Sequence, residues 1–154
     1  MCGIAGFIDP QGHVSQPEDV LRRMMTQLSH RGPDDRGTVS SGPAHLAHTR
    51  LSILDLSPQG RQPFDVLTPA GRYIALANAE LYNHDALRTQ LRTRYPDAAI
   101  APSDCAVLPW LAADDLDEVP AKLEGMFAVA LWDDSRQRLL LARDPAGQKP
   151  LYYA

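Results

Sequence analysis

A cysteine stands directly after the initiator methionine in "MCGIAGFID". Once Met1 is removed, Cys2 carries a thiol and a free α-amine on one residue. An α-amine ordinarily titrates at about 7.7–8.0 and a thiol at about 8.5, so near neutral pH the amine can take the thiol proton as sulfur attacks. No histidine is needed as base. Acyl transfer by such a nucleophile also needs donors where an oxyanion forms and groups that grip the substrate. Asn78 closes the apolar run "RYIALAN", where a lone amide can enter a pocket. Glu80 and Asp104 are carboxylates suited to an ammonium, and Arg50 offers a planar fork to a carboxylate. Together they suit the zwitterionic end of an amino acid.

The elements that must carry these residues are partly visible in the hydrophobic pattern. "IAGFI" reads as a buried strand starting almost at the terminus. Ser15 followed by Glu18 predicts a capping box for a helix whose stripe is Leu21, Met24, Met25 and Leu28. "GTVSSG" and "AHLAHTRLSILDL" read as strands joined by a turn at Gly42 and Pro43, before an irregular segment "SPQGRQPFDVLTPAG". The next strand, "RYIALAN", is expected to stop at Asn78. Asn83 predicts the cap of a helix with Leu87 and Leu91, and Ser103 that of a helix with Val107, Leu108 and Leu111, kinked or shortened by Pro109. "GMFAVALWD" and "RLLLARD" form a hairpin around Asp134 and Ser135. The sum is an α+β domain with mainly antiparallel sheet and two or three helices.

Composition narrows the function classes. With 154 residues, 44% hydrophobic, the chain suits one soluble domain. A net charge of −4 argues against nucleic acid or an acidic membrane as partner. No apolar run approaches a membrane span and no signal peptide opens the chain, so the expected location is cytoplasmic. Cys2 and Cys105 are expected to be free thiols in a reducing compartment. His45 and His48 lie on a strand pattern without metal-ligand spacing, and no metal site is expected.

Seven blocks, in order along nearly the whole chain, carry a family resemblance: "MCGIAGFID", "HRGPDD", "HTRLSILDLSPQGRQP", "NAELYNH", "SDC", "LEGMFAVALWD" and "RDPAGQKPLYY". The chain resembles the glutaminase domain of class II glutamine amidotransferases, especially that of glutamine-hydrolysing asparagine synthetases. The resemblance implies an N-terminal nucleophile (Ntn) hydrolase fold, a four-layer αββα sandwich with two mainly antiparallel sheets, over residues 1–154. It implies hydrolysis of L-glutamine to L-glutamate and ammonia through a γ-glutamyl thioester on Cys2. By the same resemblance Asn78 and the N–H of Ala79 form the oxyanion hole, Arg50 holds the α-carboxylate, and Glu80 and Asp104 hold the α-ammonium. Leu51 and Ile53 are implied as further substrate-binding positions. No cofactor belongs to this domain. ATP and Mg are expected only in a synthetase domain or subunit, the implied recipient of the ammonia, whose pyrophosphate loop is not in this sequence.

Three departures from the family pattern set further expectations. Relatives carry Asn-Gly-Glu where this chain has Asn78-Ala79-Glu80. If that position requires a positive φ, alanine costs about 1–2 kcal/mol and turns its N–H away. Losing one oxyanion donor costs on the order of 10²–10³ in turnover, which predicts reduced activity or, as the alternative, a glutamine-binding or structural subunit. Ala106 replaces a usual glutamate, with no role attached to the change. The sequence ends at "KPLYYA", where such domains continue with further strands, so a synthetase unit or a homodimer is expected to cover the open edges.

Overall fold

The computed structural model describes residues 1–53 and 56–154. Two antiparallel sheets face each other. The first has the order β1-β3-β2, from β1 (Gly3–Ile8), β2 (Asp35–Ser41) and β3 (Ala44–Arg50). The second has the order β4-β5-β6-β7, from β4 (Phe64–Thr68), β5 (Gly71–Leu81), β6 (Gly125–Asp133) and β7 (Arg138–Arg143). Helix α1 (Pro17–Gln27) lies on the outer face of the first sheet through Leu21 and Met25 against Ala47. Helices α2 (His84–Arg94) and α3 (Leu108–Asp114), with the short α4 (Val119–Lys122), cover the outer face of the second. This is the expected four-layer αββα sandwich.

The two-residue period of the strands decides what lies between the sheets. Ala44 and Leu46 of β3, Ile74 and Leu76 of β5, and Ala130 and Trp132 of β6 form the middle core, with Ile4 and Ile8 of β1 packed against it. Carrying that parity to the strand ends places Cys2, Arg50, Asn78 and Glu80 on the same inner faces. The alternate residues Ala75, Ala77 and Leu81 belong to the helix-side core.

Several local expectations change. β5 does not stop at Asn78; it continues to Leu81 because β6 pairs with it as far as Leu81↔Gly125. The segment read as irregular contains a 3-10 turn (Pro58–Gly60) and β4. β3 ends at Arg50, earlier than the pattern of "AHLAHTRLSILDL" suggested, and Leu54 and Asp55 of that stretch lie outside the described residues.

The capping box does not form: Gln16 occupies the N-cap without a side-chain bond, and Pro17 opens α1. Two residues from the first helical position, Ser15 is too early, while Asp9 accepts the N–H groups of His13 and Val14 at 3.0 and 2.8 Å. Asn83 and Ser103 occupy N-cap positions, but neither side chain caps its helix. The Asn83 amide instead bridges Lys122 O and Glu124 N, tying the start of α2 to the entry of β6. After Ser103 the chain makes a 3-10 turn (Asp104–Val107) before α3, and Pro109 sits in the first turn of that helix, where a missing N–H is harmless.

Candidate active site

Cys2 precedes the first rung of the first sheet, Gly3↔Thr49, so it leaves the ladder beside Arg50. Its thiol lies 3.8 Å from Leu51 O, and its carbonyl accepts a 3.1 Å hydrogen bond from Arg31 Nε. The "HRGPDD" block holds this corner together. A Cβ at Gly32 would stand 2.3 Å from the Thr49 carbonyl carbon, so only glycine lets the loop after α1 cross β3 so closely. Asp34 N–H donates to Arg50 O at 3.0 Å, and the Asp34 carboxylate accepts Ser52 N–H at 2.7 Å. Arg50 is buried and donates from Nη1 to Ser57 O at 2.9 Å.

From the other sheet, β5 brings Asn78 and Glu80 to the same space. Glu80 is exposed at the rim. Asn78 is only 5% exposed, and among the described residues no group hydrogen-bonds its side chain. The amide is not sealed off: its polar atoms open onto the cavity, where a ligand can supply the acceptor. Ala79 between them pairs with Phe127 and packs against the helix-side core. Among the described residues only Gln137 has a positive φ without being glycine, so Ala79 has ordinary strand geometry. The positive-φ penalty considered for alanine there therefore has no basis in its backbone.

The N–H groups at the open edge of β5 follow the same period. Ala77 N–H donates to Gln62 Oε1 at 2.6 Å, and Leu81 N–H donates to Asp104 Oδ2 at 2.9 Å. Ala79 N–H lies in phase between them and faces the same edge.

Asp104 is fixed in turn from α2. Arg88 of α2 is 8% exposed and donates from Nη2 to the carbonyls of Ala101, Pro102 and Ser103, at 3.2, 2.9 and 2.8 Å. Cys105 also lines the site, but burial, reinforced by the adjacent Asp104, pushes its thiol well above the usual range. Cys2 is the less buried of the two free thiols.

All eight residues singled out from sequence, Cys2, Arg50, Leu51, Ile53, Asn78, Ala79, Glu80 and Asp104, line one cavity of about 160 Å³. Met1 stands in its lining, half exposed, and loss of that residue is what converts the Cys2 nitrogen into an amine. Gln62 and Lys149 also line the cavity and were missed from sequence. Lys149 is brought there by Asp144, whose carboxylate accepts the N–H groups of Phe127, Gln148 and Lys149. Burial alone would raise the Asp144 carboxyl, but those donors hold it below the usual carboxylate range.

The family model described as a glutamine amidotransferase domain matches residues 1–154. The chain belongs to this glutamine amidotransferase family. It is similar to the amidase chry2 of Gibberella zeae, 40% identical over 99% of this chain and 24% of that protein. It is 36% identical to asparagine synthetase [glutamine-hydrolyzing] 3 of Bacillus subtilis, over 99% of this chain and 25% of the relative. The likeness to asparagine synthetase B [glutamine-hydrolyzing] of Escherichia coli is also 36%, over 99% of this chain and 26% of that one. This amidotransferase domain thus spans about a quarter of the length of the curated relatives it matches. Its fold is similar to that of glutamine phosphoribosylpyrophosphate amidotransferase from Bacillus subtilis, with TM-score 0.69 and 19% identity over 95% of this chain and 37% of that one. No helix among the described residues is long and apolar enough to cross a membrane.

Proposed function

We propose that this domain hydrolyses L-glutamine to L-glutamate and ammonia, and that the ammonia serves an amidation of the asparagine-synthetase type in a separate synthetase domain or subunit. After Met1 is removed, the Cys2 α-amine takes the thiol proton while Sγ attacks the side-chain amide carbon. The oxyanion that forms is met by the Asn78 side-chain amide and the Ala79 N–H. The proton held by the amine passes to the leaving nitrogen, the C–N bond breaks and ammonia departs from a γ-glutamyl thioester. Water, deprotonated by the same amine, then adds to the thioester; the C–S bond breaks, releasing glutamate and restoring the thiol.

Arg50 takes the α-carboxylate and Glu80 with Asp104 the α-ammonium, while Leu51 and Ile53 form the wall between the two ends. ATP and Mg would act in the synthetase unit. The observation that carries this reading is the largely buried Asn78 side chain, whose amide opens onto the same cavity as Cys2. The extended backbone at Ala79 favours turnover over a binding-only subunit.

The test is the intact mass of the purified protein with and without 6-diazo-5-oxo-L-norleucine, together with ammonia release from glutamine. The expected outcome is loss of one methionine, a single adduct on Cys2 that is absent in Cys2→Ala, and ammonia release that also disappears in that variant. A processed protein that gains no adduct and releases no ammonia overturns the reading and leaves a binding subunit.

A further inference from the structure

Ala77, the residue just before the oxyanion pair, is gripped from outside its own sheet. β4 pairs with β5 only as far as Phe64↔Ala75. One rung further, where a longer β4 would offer a peptide group to Ala77, the chain offers the side chain of Gln62. Its Oε1 accepts Ala77 N–H at 2.6 Å, and its Nε2 donates to Ala77 O at 3.3 Å. A carboxamide has the donor and acceptor of a peptide unit in one plane, so it can replace both ladder bonds.

The same carbonyl takes a second donor, His48 Nε2 of β3, at 3.2 Å. Since a carbonyl only accepts, Nε2 carries the proton, and Nδ1 has no partner. Burial lowers His48 to about 4, so the ring is neutral and keeps this role near neutral pH. Gln62 is itself only 6% exposed. Its backbone rests on β2 at Gly37, where a Cβ would stand 2.0 Å from Gln62 O. The clamp thus spans both sheets and ends one residue before Asn78.

We infer that Gln62 is a positioning residue for catalysis, holding the Asn78 amide and the Ala79 N–H in register with Cys2 by standing in for a rung of β4. This rests on the glutaminase reading above. Since small displacements of reacting groups cost up to about 10²-fold, Gln62→Met, which keeps the length but removes both bonds, lowers kcat by about 10- to 100-fold. KM for glutamine stays within about threefold, because Arg50, Glu80 and Asp104 are untouched. Alkylation of Cys2 by iodoacetamide, which needs no oxyanion hole, keeps its rate. Gln62→Glu keeps the acceptor for Ala77 N–H but sets an oxygen against Ala77 O, and it too loses kcat.

Hydrogen exchange at the Ala77 amide provides a readout independent of turnover, with protection falling in Gln62→Met, which leaves that N–H without its side-chain acceptor. Unchanged kcat in Gln62→Met overturns the inference. So does a joint collapse of kcat, KM, iodoacetamide reactivity and melting temperature in both variants, which marks a merely structural residue. If the wild-type protein releases no ammonia, the glutaminase reading fails on its own; unchanged Ala77 protection in Gln62→Met then rejects the clamp, and lowered protection retains it.

Discussion

Asn78 and Cys2 reach the same cavity from opposite sheets, but they are held in different ways. Asn78 lies within a continuous strand, with β6 on one side and the Gln62 clamp one residue away on the other. Cys2 lies beyond the last rung of an edge strand, kept in place by Arg31 on its carbonyl and by the loop that begins at Leu51. The groups that would stabilise charge are built into the sheet. The proposed nucleophile stands ahead of its strand, where removal of Met1 would change its chemistry. Preorganisation is worth most where charge develops, and a terminus has to stay accessible to be processed.

The largest break in this comparison is expected on the sheet side. Asn78→Ala removes a fixed donor and should lower kcat on the order of 10²–10³ with little change in KM, measured by steady-state ammonia release. The cross-sheet bond from His48 of β3 to Ala77 carries a pH signature. Because the folded His48 lies at about 4, below its ordinary value of 6.5, the folded state resists protonation. Its contribution is intact above about pH 6.5 and is lost as pH falls towards 4, up to about 3 kcal/mol. Denaturant unfolding across this range should show a steeper loss in the wild type than in His48→Gln.

On the chain-end side the effect is smaller. Arg31→Met removes one charged donor from Cys2 O, at a cost of about 1.5 kcal/mol or roughly tenfold in kcat. The rate of Cys2 alkylation by the glutamine analogue should fall in parallel. Smallest of all is Ala79→Gly. With no positive φ to relieve, it should change kcat less than about twofold and cost roughly 0.5–1 kcal/mol in stability, read from denaturant midpoints, because glycine loosens a strand.

Why Asn78 was found from sequence and its strand misjudged has one physical cause. A polar residue after six mostly apolar ones marks a change of environment, and that change is real, since Asn78 faces the cavity. Where a strand stops depends on how far its partner runs, and β6 pairs on to Gly125; nothing local to residues 78–81 states this. Cys2 was legible as a candidate because it directly follows Met1, and it does line the cavity. Arg50, Glu80 and Asp104 were legible as charges, and their convergence depends on strand parity and the 3-10 turn at Asp104. Gln62 and Lys149 carried no local signal: a glutamine between an arginine and a proline, and a lysine near the end, look like ordinary loop residues until Ala77 and Asp144 stand beside them.

Gly37 lines no part of the cavity and has no chemistry of its own, yet the backbone of Gln62 occupies the space a side chain there would need. A methyl group at this strand position would press on the clamp from behind and reach the oxyanion strand at second hand. Such a residue would act as a remote dimmer of the proposed reaction. Screens for altered activity that watch only the cavity walls would overlook it, and in the drift of related sequences its loss would weaken the proposed activity while every residue around the cavity stayed in place.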